Sequence, residues 1–326
     1  MGVEVHERYI NPYTDFGFKK LFGTELNKDL LISFLNALFS GSDKEIQDVK
    51  YLNSEHLGDG YADRRAVFDV YCTTEDGSRF IVEMQKAEQA YFKDRSIYYS
   101  TYPIREQAPK GTWDYRLEDV YTVGLLNFTF PNGEYPADSY KHEVKLKDVE
   151  DNHVFYDKLT FVYLEMPKFN KTEDELVTMF DKWMFALRNL SRLLERPRAL
   201  QERIFNRLFE QAEIARFTPQ ERREYQERIK DYWDYYSTMK TAEDKGRAAG
   251  LEEGRAAGLE EGRAAGLEEG RATGLEEGRA AGLEEGRAAG LEEGIERVAR
   301  AMKASGVSVA EIAKFTGLTE EQVAQL

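Results

Sequence analysis

The sequence predicts an α/β (α+β) core, in which helices flank a mixed central sheet, followed by a helical C-terminal extension. Three observations carry that expectation. Thr14–Leu38 places Phe18, Leu21, Phe22, Leu30, Leu31, Phe34, Leu35 and Leu38 at intervals of three to four residues, the period of an amphipathic helix. Residues 64–88 (RRAVFDVYCTTEDGSRFIVEMQKAE) read as two apolar strands on either side of Glu75-Asp76-Gly77. Further strand-like runs near 119–130 and 159–166 are separated by helical patterns, which sets helices against a sheet.

Each element follows from local chemistry. Gly23-Thr24 divides the first helical stretch, and Thr24 is suited to cap the second half. Strands are expected near 46–53, 65–73 and 79–86, and a helix around 88–107 that carries Arg95, Tyr98, Tyr99 and Tyr102. Lys171–Lys245 reads as further helices, with Leu176, Met179, Phe180, Trp183, Met184, Leu187, Leu190, Leu193 and Leu194 at helical spacing. Four segments result: a core over 1–170, a helical extension of it over 171–245, repeats over 246–294, and a small helix-turn-helix-like tail over 295–326.

Composition sets the outer limits. The chain has 326 residues, 41% hydrophobic and 13% aromatic, enough for a sizeable packed core. No apolar run approaches membrane-spanning length, and the N-terminus lacks the basic and apolar regions of a secretory signal. The single cysteine, Cys72, excludes an internal disulfide or a cysteine-based zinc site. The four histidines show no ligand spacing. A cytoplasmic protein is expected. The formal charge of −15 is awkward for a nucleic-acid partner, because phosphate affinity normally comes from Lys and Arg. Residues 246–326 hold 10 basic and 16 acidic residues, a net of −6, which leaves −9 for residues 1–245. Any contact with a polyanion would have to come from local cations such as Lys19, Lys20, Arg64, Arg65, Lys86, Lys93, Arg95 and Arg105.

The hairpin holds the most informative residues. A three-residue loop with Gly77 in the left-handed conformation sets Thr74 opposite Ser78 and therefore Asp69 opposite Glu83; a two-residue turn would instead set Asp69 opposite Met84, with Glu83 and Gln85 as diagonal neighbours still within reach. Directly opposed residues share a face about 5 Å apart, and Gln85 shares the parity of Glu83. Two such carboxylates repel each other unless a cation lies between them, and hard oxygen ligands suit Mg²⁺ or Mn²⁺, with Ca²⁺ left open. The competing reading is a pair of ordinary acids on the solvent face of a hairpin.

Aspartate at a strand end, a hairpin, then Glu-x-Gln on the next strand resembles the PD-(D/E)XK nuclease motif. More narrowly, the chain resembles the Rpn family of recombination-promoting nucleases, also described as PD-(D/E)XK transposases. TDFGFKKLFG (14–23), LISFLNAL (31–38), FDV (68–70), VEMQ (82–85), RSIYYSTY (95–102), LEDVYTVGLLNFTF (117–130) and YLEMPKF (163–169) carry the resemblance over roughly residues 9–240. It implies a restriction-endonuclease-like core that cleaves double-stranded DNA with a divalent metal, linked to recombination, mobile elements or phage defence. Asp69 and Glu83 then hold the metal, with the backbone carbonyl of Met84. Gln85 stands where many superfamily members carry Lys; an amide can orient a water but is neither a base nor a cation. Lys86 points to the other face on a regular strand. Asp15, Lys19 and Lys20 on the first helix, and Arg95 with Tyr98 one turn apart, are candidates to support the site or contact DNA; ordinary helix chemistry explains them equally well.

The C-terminal third reads differently. RAAGLEEG repeats six times between Arg247 and Gly294, with Thr273 in place of one Ala. Glycine every fourth residue costs about 1 kcal/mol each relative to Ala in a helix. An eight-residue period turns Leu by about 80° per repeat, so no continuous apolar seam forms. A tether or extended helix is expected. In the tail, Ser308-x-x-Glu311 and Thr319-x-x-Gln322 are capping patterns, and Ile312, Ala313 and Phe315 repeat on one face. Its last helix lacks Lys and Arg, so docking or self-association, with a homo-oligomer as the expected state, suits it better than reading DNA. Two alternatives to a nuclease stay open: an inactive or weakly active nuclease-fold scaffold whose repeat tail mediates oligomerisation or partner docking, and a helix-turn-helix regulator.

Overall fold

A computed structural model describes residues 7–41, 45–56, 66–108, 111–131 and 133–326. Arg64 and Arg65, two of the cations proposed for DNA contact, lie outside them. In chain order the elements are α1 (Asp15–Phe22), α2 (Lys28–Leu38), β1 (Val49–Tyr51), β2 (Glu55–His56), β3 (Ala66–Val67), β4 (Val70–Thr74), β5 (Arg79–Gln85), α3 (Phe92–Arg105), β6 (Val120–Leu126), β7 (Lys141–Lys147), β8 (Val154–Glu165), α4 (Met179–Asn189), α5 (Arg203–Ala212), α6 (Pro219–Ala304), α7 (Val309–Thr316) and α8 (Glu320–Gln325). Two compact units divide the chain at Ser237/Thr238.

The first unit is built on a six-stranded mixed sheet, in the order β1-β4-β5-β6-β8-β7, with β2 and β3 forming a separate ribbon. β5, β6 and β8 run parallel; the remaining pairings are antiparallel. Alternation along the strands sorts the side chains to two faces. One face, with Val82, Met84, Val123, Leu125, Val162 and Leu164, packs on α1, α2, α4 and α5 to form the main core around Trp183. The other carries Ile81, Glu83, Gln85 and Tyr163 and is covered by α3, through Phe92, Tyr99 and Tyr102. A hydrogen bond of 2.8 Å between Ser96 and Tyr163 hydroxyls pins α3 down.

The hairpin register is the expected one. Val70 faces Val82 and Thr73 faces Arg79; Thr74 N–H donates to the Ser78 carbonyl, and Gly77 has φ +84°. The helix break at Gly23 is also as expected, but Thr24 makes no side-chain cap; a 3₁₀ turn, Glu25–Asn27, leads into α2 instead. α1 is capped by Thr14, whose hydroxyl accepts from Gly17 N–H. A Cβ on Gly17 would lie 2.2 Å from the Asn11 carbonyl oxygen and 2.8 Å from the Thr14 hydroxyl. Gly17→Ala is therefore expected to destabilise the fold by about 1–3 kcal/mol through overpacking, read by urea denaturation; an unchanged midpoint would contradict this account of the α1 start.

Three regions depart from expectation, the first being the strand expected near 65–73, which is split between β3, paired with an unforeseen β2, and β4 of the main sheet. β7 was not foreseen: its sequence KHEVKLK is charged and mostly exposed, because it is the sheet edge, where Lys and Glu discourage pairing with other strands. β8 begins five residues earlier than expected, where it pairs with β7 through a bulge. In the extension, Met179 and Leu194 are exposed despite their helical spacing; α4 ends at Asn189 and a 3₁₀ turn redirects the chain. A buried ion network closes the β7 side. Glu165, fully buried, accepts from His142 Nε2 (2.6 Å), Lys168 Nζ (2.8 Å) and Phe130 N–H (2.8 Å).

The second unit comprises the rest of α6 with α7 and α8. The repeats are helical throughout, and their leucines are 64–77% exposed, from Leu251 to Leu291. That is the pattern expected of a stripe that drifts around the helix. Ala299, Ile312 and Val323 form a small core at the tail. Gly306 and Gly317 end their helices in the left-handed conformation, and Thr319 with Gln322 forms a capping box. Phe315, expected on the apolar face, is 76% exposed.

Candidate active site

The same register, continued one residue past Val70, sets Asp69 level with Glu83 on the α3 face of the sheet. Asp69 lies just outside β4, and its carboxylate takes over the local backbone pairing: Oδ2 accepts from Met84 N–H at 2.8 Å. Glu83 Oε2 accepts from Gln85 Nε2 at 2.7 Å. Each acid thus has one oxygen held by the protein. The other oxygens, Asp69 Oδ1 and Glu83 Oε1, have no hydrogen-bond partner among the described residues.

Arg95 enters from α3. It donates to Gln85 Oε1 at 3.0 Å, bonds Gln89, and lies 3.6 Å from Glu83 Oε2. Its guanidinium also sits over the Tyr99 ring, 5.2 Å from the centroid. These groups open on a cleft of about 430 Å³, whose further walls include Asp15, Lys86, Asp231 and Tyr235.

Burial dominates the electrostatics. Glu83, 8% exposed, is pushed up to about 7 by burial, then by the neighbouring charge of Asp69; Arg95 and the Gln85 hydrogen bond act against this. Asp69 is raised by burial as well, offset by the Met84 hydrogen bond, with Asp15 raising it and Lys19 and Lys86 lowering it. Two carboxylates that disfavour their own ionisation and keep unbonded oxygens form a donor set matched to a hard cation. No cluster of three or more His, Cys, Asp or Glu side chains suited to a metal occurs among the described residues. Two carboxylates completed by water and substrate oxygens are one way in which hard divalent cations are held.

The sequence candidates separate into two groups. The structure brings Asp69, Glu83, Met84, Gln85, Asp15 and Arg95 to one cleft. Lys19 pairs with Asp15 at 3.1 Å and acts on Asp69 through its charge. Lys20 is turned away: it pairs with Glu221 at 2.5 Å and lies over Phe217, tying α1 to α6. Tyr98 does not line the cleft and shares a hydrogen bond of 3.0 Å with Tyr102; its neighbour Tyr99 supports Arg95 instead. Lys86 does line the cleft, contrary to strict alternation, because β5 ends at Gln85. Asp231 and Tyr235 were not identified from sequence as cleft residues. Of the aromatic residues that share this stretch of α6, Tyr225 and Tyr232 are buried, whereas Tyr235 is exposed.

The PD-(D/E)XK nuclease family transposase model matches residues 12–242. The chain belongs to that family. No curated protein and no solved structure matches it. As a family member the chain has a restriction-endonuclease-like α/β core, and its membership supports a nuclease-type function, which in PD-(D/E)XK nucleases generally involves divalent metal ions. The described residues contain no helix long and apolar enough to cross a membrane.

Proposed function

We propose that the protein is a metal-dependent endonuclease of double-stranded DNA. The observation that carries this reading is the facing pair Asp69 and Glu83, each with one oxygen fixed by the protein and one unbonded oxygen, in a cleft fringed by Arg95 and Lys86. Asp69, Glu83 and the Met84 carbonyl would hold Mg²⁺ or Mn²⁺. A bound cation of this kind lowers the pKa of a water and offsets charge that builds on a scissile phosphate.

The chain's own groups prepare the site. Met84 N–H fixes the Asp69 carboxylate. Gln85 holds Glu83 through its amide N–H and offers its oxygen to Arg95. The positive charge that Gln85 lacks, where many superfamily members carry Lys, is supplied from α3 by Arg95. There it favours ionised Glu83 and meets the developing phosphate charge. Roles in recombination, mobile elements or phage defence follow from the family alone. Assays of plasmid nicking with and without metal test the reading. Folded protein that never cuts would favour the scaffold alternative.

Arg95→Ala is expected to lower cleavage about 10- to 100-fold, the usual cost of removing a group that supports metal ligands. It should also move the acidic limb of the pH–rate profile to higher pH, because Arg95 holds the Glu83 pKa down. A lower rate with an unmoved profile would remove Arg95 from this role.

A further inference from the structure

A second, larger cavity lies beside the cleft within the first unit, with a volume of about 1040 Å³. The two share Tyr13, and Asn127 stands between them, donating to the Lys86 carbonyl at 3.4 Å and to the Tyr232 hydroxyl at 3.5 Å. One turn of α6 forms the partition. Asp231 and Tyr235 line the cleft, and Tyr232 and Trp233 line the cavity.

The cavity's charge is opposite to that of the chain. Arg188, Arg192 and Arg222 converge on it from α4, the following 3₁₀ turn and α6. The one acid among its described lining residues, Glu7, accepts from the Tyr225 hydroxyl at 2.6 Å, and burial raises its pKa. Arg188 is committed to the Met166 and Pro167 carbonyls at 3.0 and 3.1 Å. Arg192 and Arg222 have no hydrogen-bond or ion-pair partner among the described residues, and both are exposed. Three arginines against one acid is unusual in a protein of net charge −15. Trp233 is 50% exposed, and its described ring contacts, to Tyr232 and Tyr236, are both edge-on.

We infer that this cavity binds a single-stranded nucleic-acid segment, with Arg192 and Arg222 on its phosphates and Trp233 stacked on one of its bases. Guanidinium groups suit phosphate, and an indole stacks on any base with little regard to sequence. Arg222 and Trp233 are eleven residues apart, which returns them to nearly the same side of α6 about 16 Å apart. That spacing suits a strand lying along the helix rather than one compact anion. The inference rests on the nuclease reading for the strand's source: a single-stranded end released from a duplex cut in the cleft continues past the Asp231–Tyr235 turn into the cavity. A free nucleotide carries the same groups but spans too little to meet Arg222 and Trp233 together.

The test separates these sources. Full-length protein in EDTA, where nothing is cut, is titrated against a fluorescent single-stranded 12-mer and, separately, against dTMP. Arg192→Ala/Arg222→Ala is expected to weaken oligonucleotide binding at least tenfold and to flatten its salt dependence by one to two phosphate contacts. Trp233→Ala should weaken it about 5- to 100-fold without flattening it. All three residues are exposed, so circular dichroism should be unchanged. Arginine-dependent binding of the 12-mer, with dTMP bound far more weakly or not at all, supports the strand; arginine-dependent binding of dTMP with equal affinity overturns it in favour of one compact nucleotide. Binding of both probes that ignores these substitutions, or no binding of either, overturns the inference. Nicking of plasmid by the wild-type protein in Mg²⁺ is scored separately. Nicking with arginine-independent binding refutes the cavity and leaves the nuclease standing. Arginine-dependent binding without nicking refutes the nuclease and leaves the cavity.

Discussion

Glu83→Gln is expected to stabilise the metal-free protein at pH 8 by about 3 kcal/mol while abolishing its response to divalent cations. In the folded chain the Glu83 carboxyl titrates near 7, against an ordinary value of 4.5. Between those pH values the folded state holds a proton that the unfolded state has released. Stability therefore falls as pH rises from about 4.5 to 7, and the loss persists above 7. The difference in pKa corresponds to about 3 kcal/mol at 1.36 kcal/mol for each tenfold step. Glutamine carries no charge, so the variant should match the wild type near pH 4.5 and exceed it at pH 8. Urea denaturation in EDTA at both pH values reads this, and parallel pH dependence of the two proteins would contradict it. Added Mg²⁺ or Mn²⁺ should raise the melting temperature of the wild type and not of the variant. The wild-type response should grow with pH up to about 7, since a ligand carboxylate must be ionised.

Glu165→Ala should have the largest effect on the fold, a loss of about 3–5 kcal/mol. The substitution strands the buried His142 ring and the Phe130 N–H, and leaves the Lys168 ammonium only the Pro136 carbonyl at 3.4 Å. A loss under about 1 kcal/mol, by urea denaturation, would show that the network relaxes or hydrates. Glu165 does not line the cleft. Protein that remains folded should therefore cleave as the wild type does, which distinguishes this loss from that of a site residue.

What the sequence revealed was local. Strand alternation and a three-residue loop ending in Gly77 are short-range constraints, and they were enough to set Asp69 beside Glu83 and to aim Gln85 at the same face. The helix around Arg95 was legible by period. Its rotation was not: Arg95 turned to the cleft with Tyr99 beneath it, while Tyr98 paired with Tyr102. Lys86 was misplaced because alternation holds only as far as the strand does, and β5 ends one residue earlier. β7 carries too many charges to look like a strand until its edge position is known. Asp231 and Tyr235 reach the cleft from about 150 residues away along the chain, and the arginines of the second cavity come from three elements. Contacts of that kind depend on how elements pack, which no local pattern encodes. In the repeats, local propensity argued for a marginal helix, and the helix that forms leaves its leucines exposed.

The most direct test of the nuclease reading is plasmid nicking by the purified full-length protein in Mg²⁺ or Mn²⁺, beside EDTA and beside Asp69→Ala. Removing one of two carboxylate ligands should cost several kcal/mol of transition-state stabilisation, on the order of a thousandfold in rate. Metal-dependent nicking that disappears in EDTA and in Asp69→Ala is the predicted result. Nicking that persists in Asp69→Ala, or its absence from folded wild-type protein in either metal, would contradict the assignment of Asp69 and Glu83 as the centre of a nuclease.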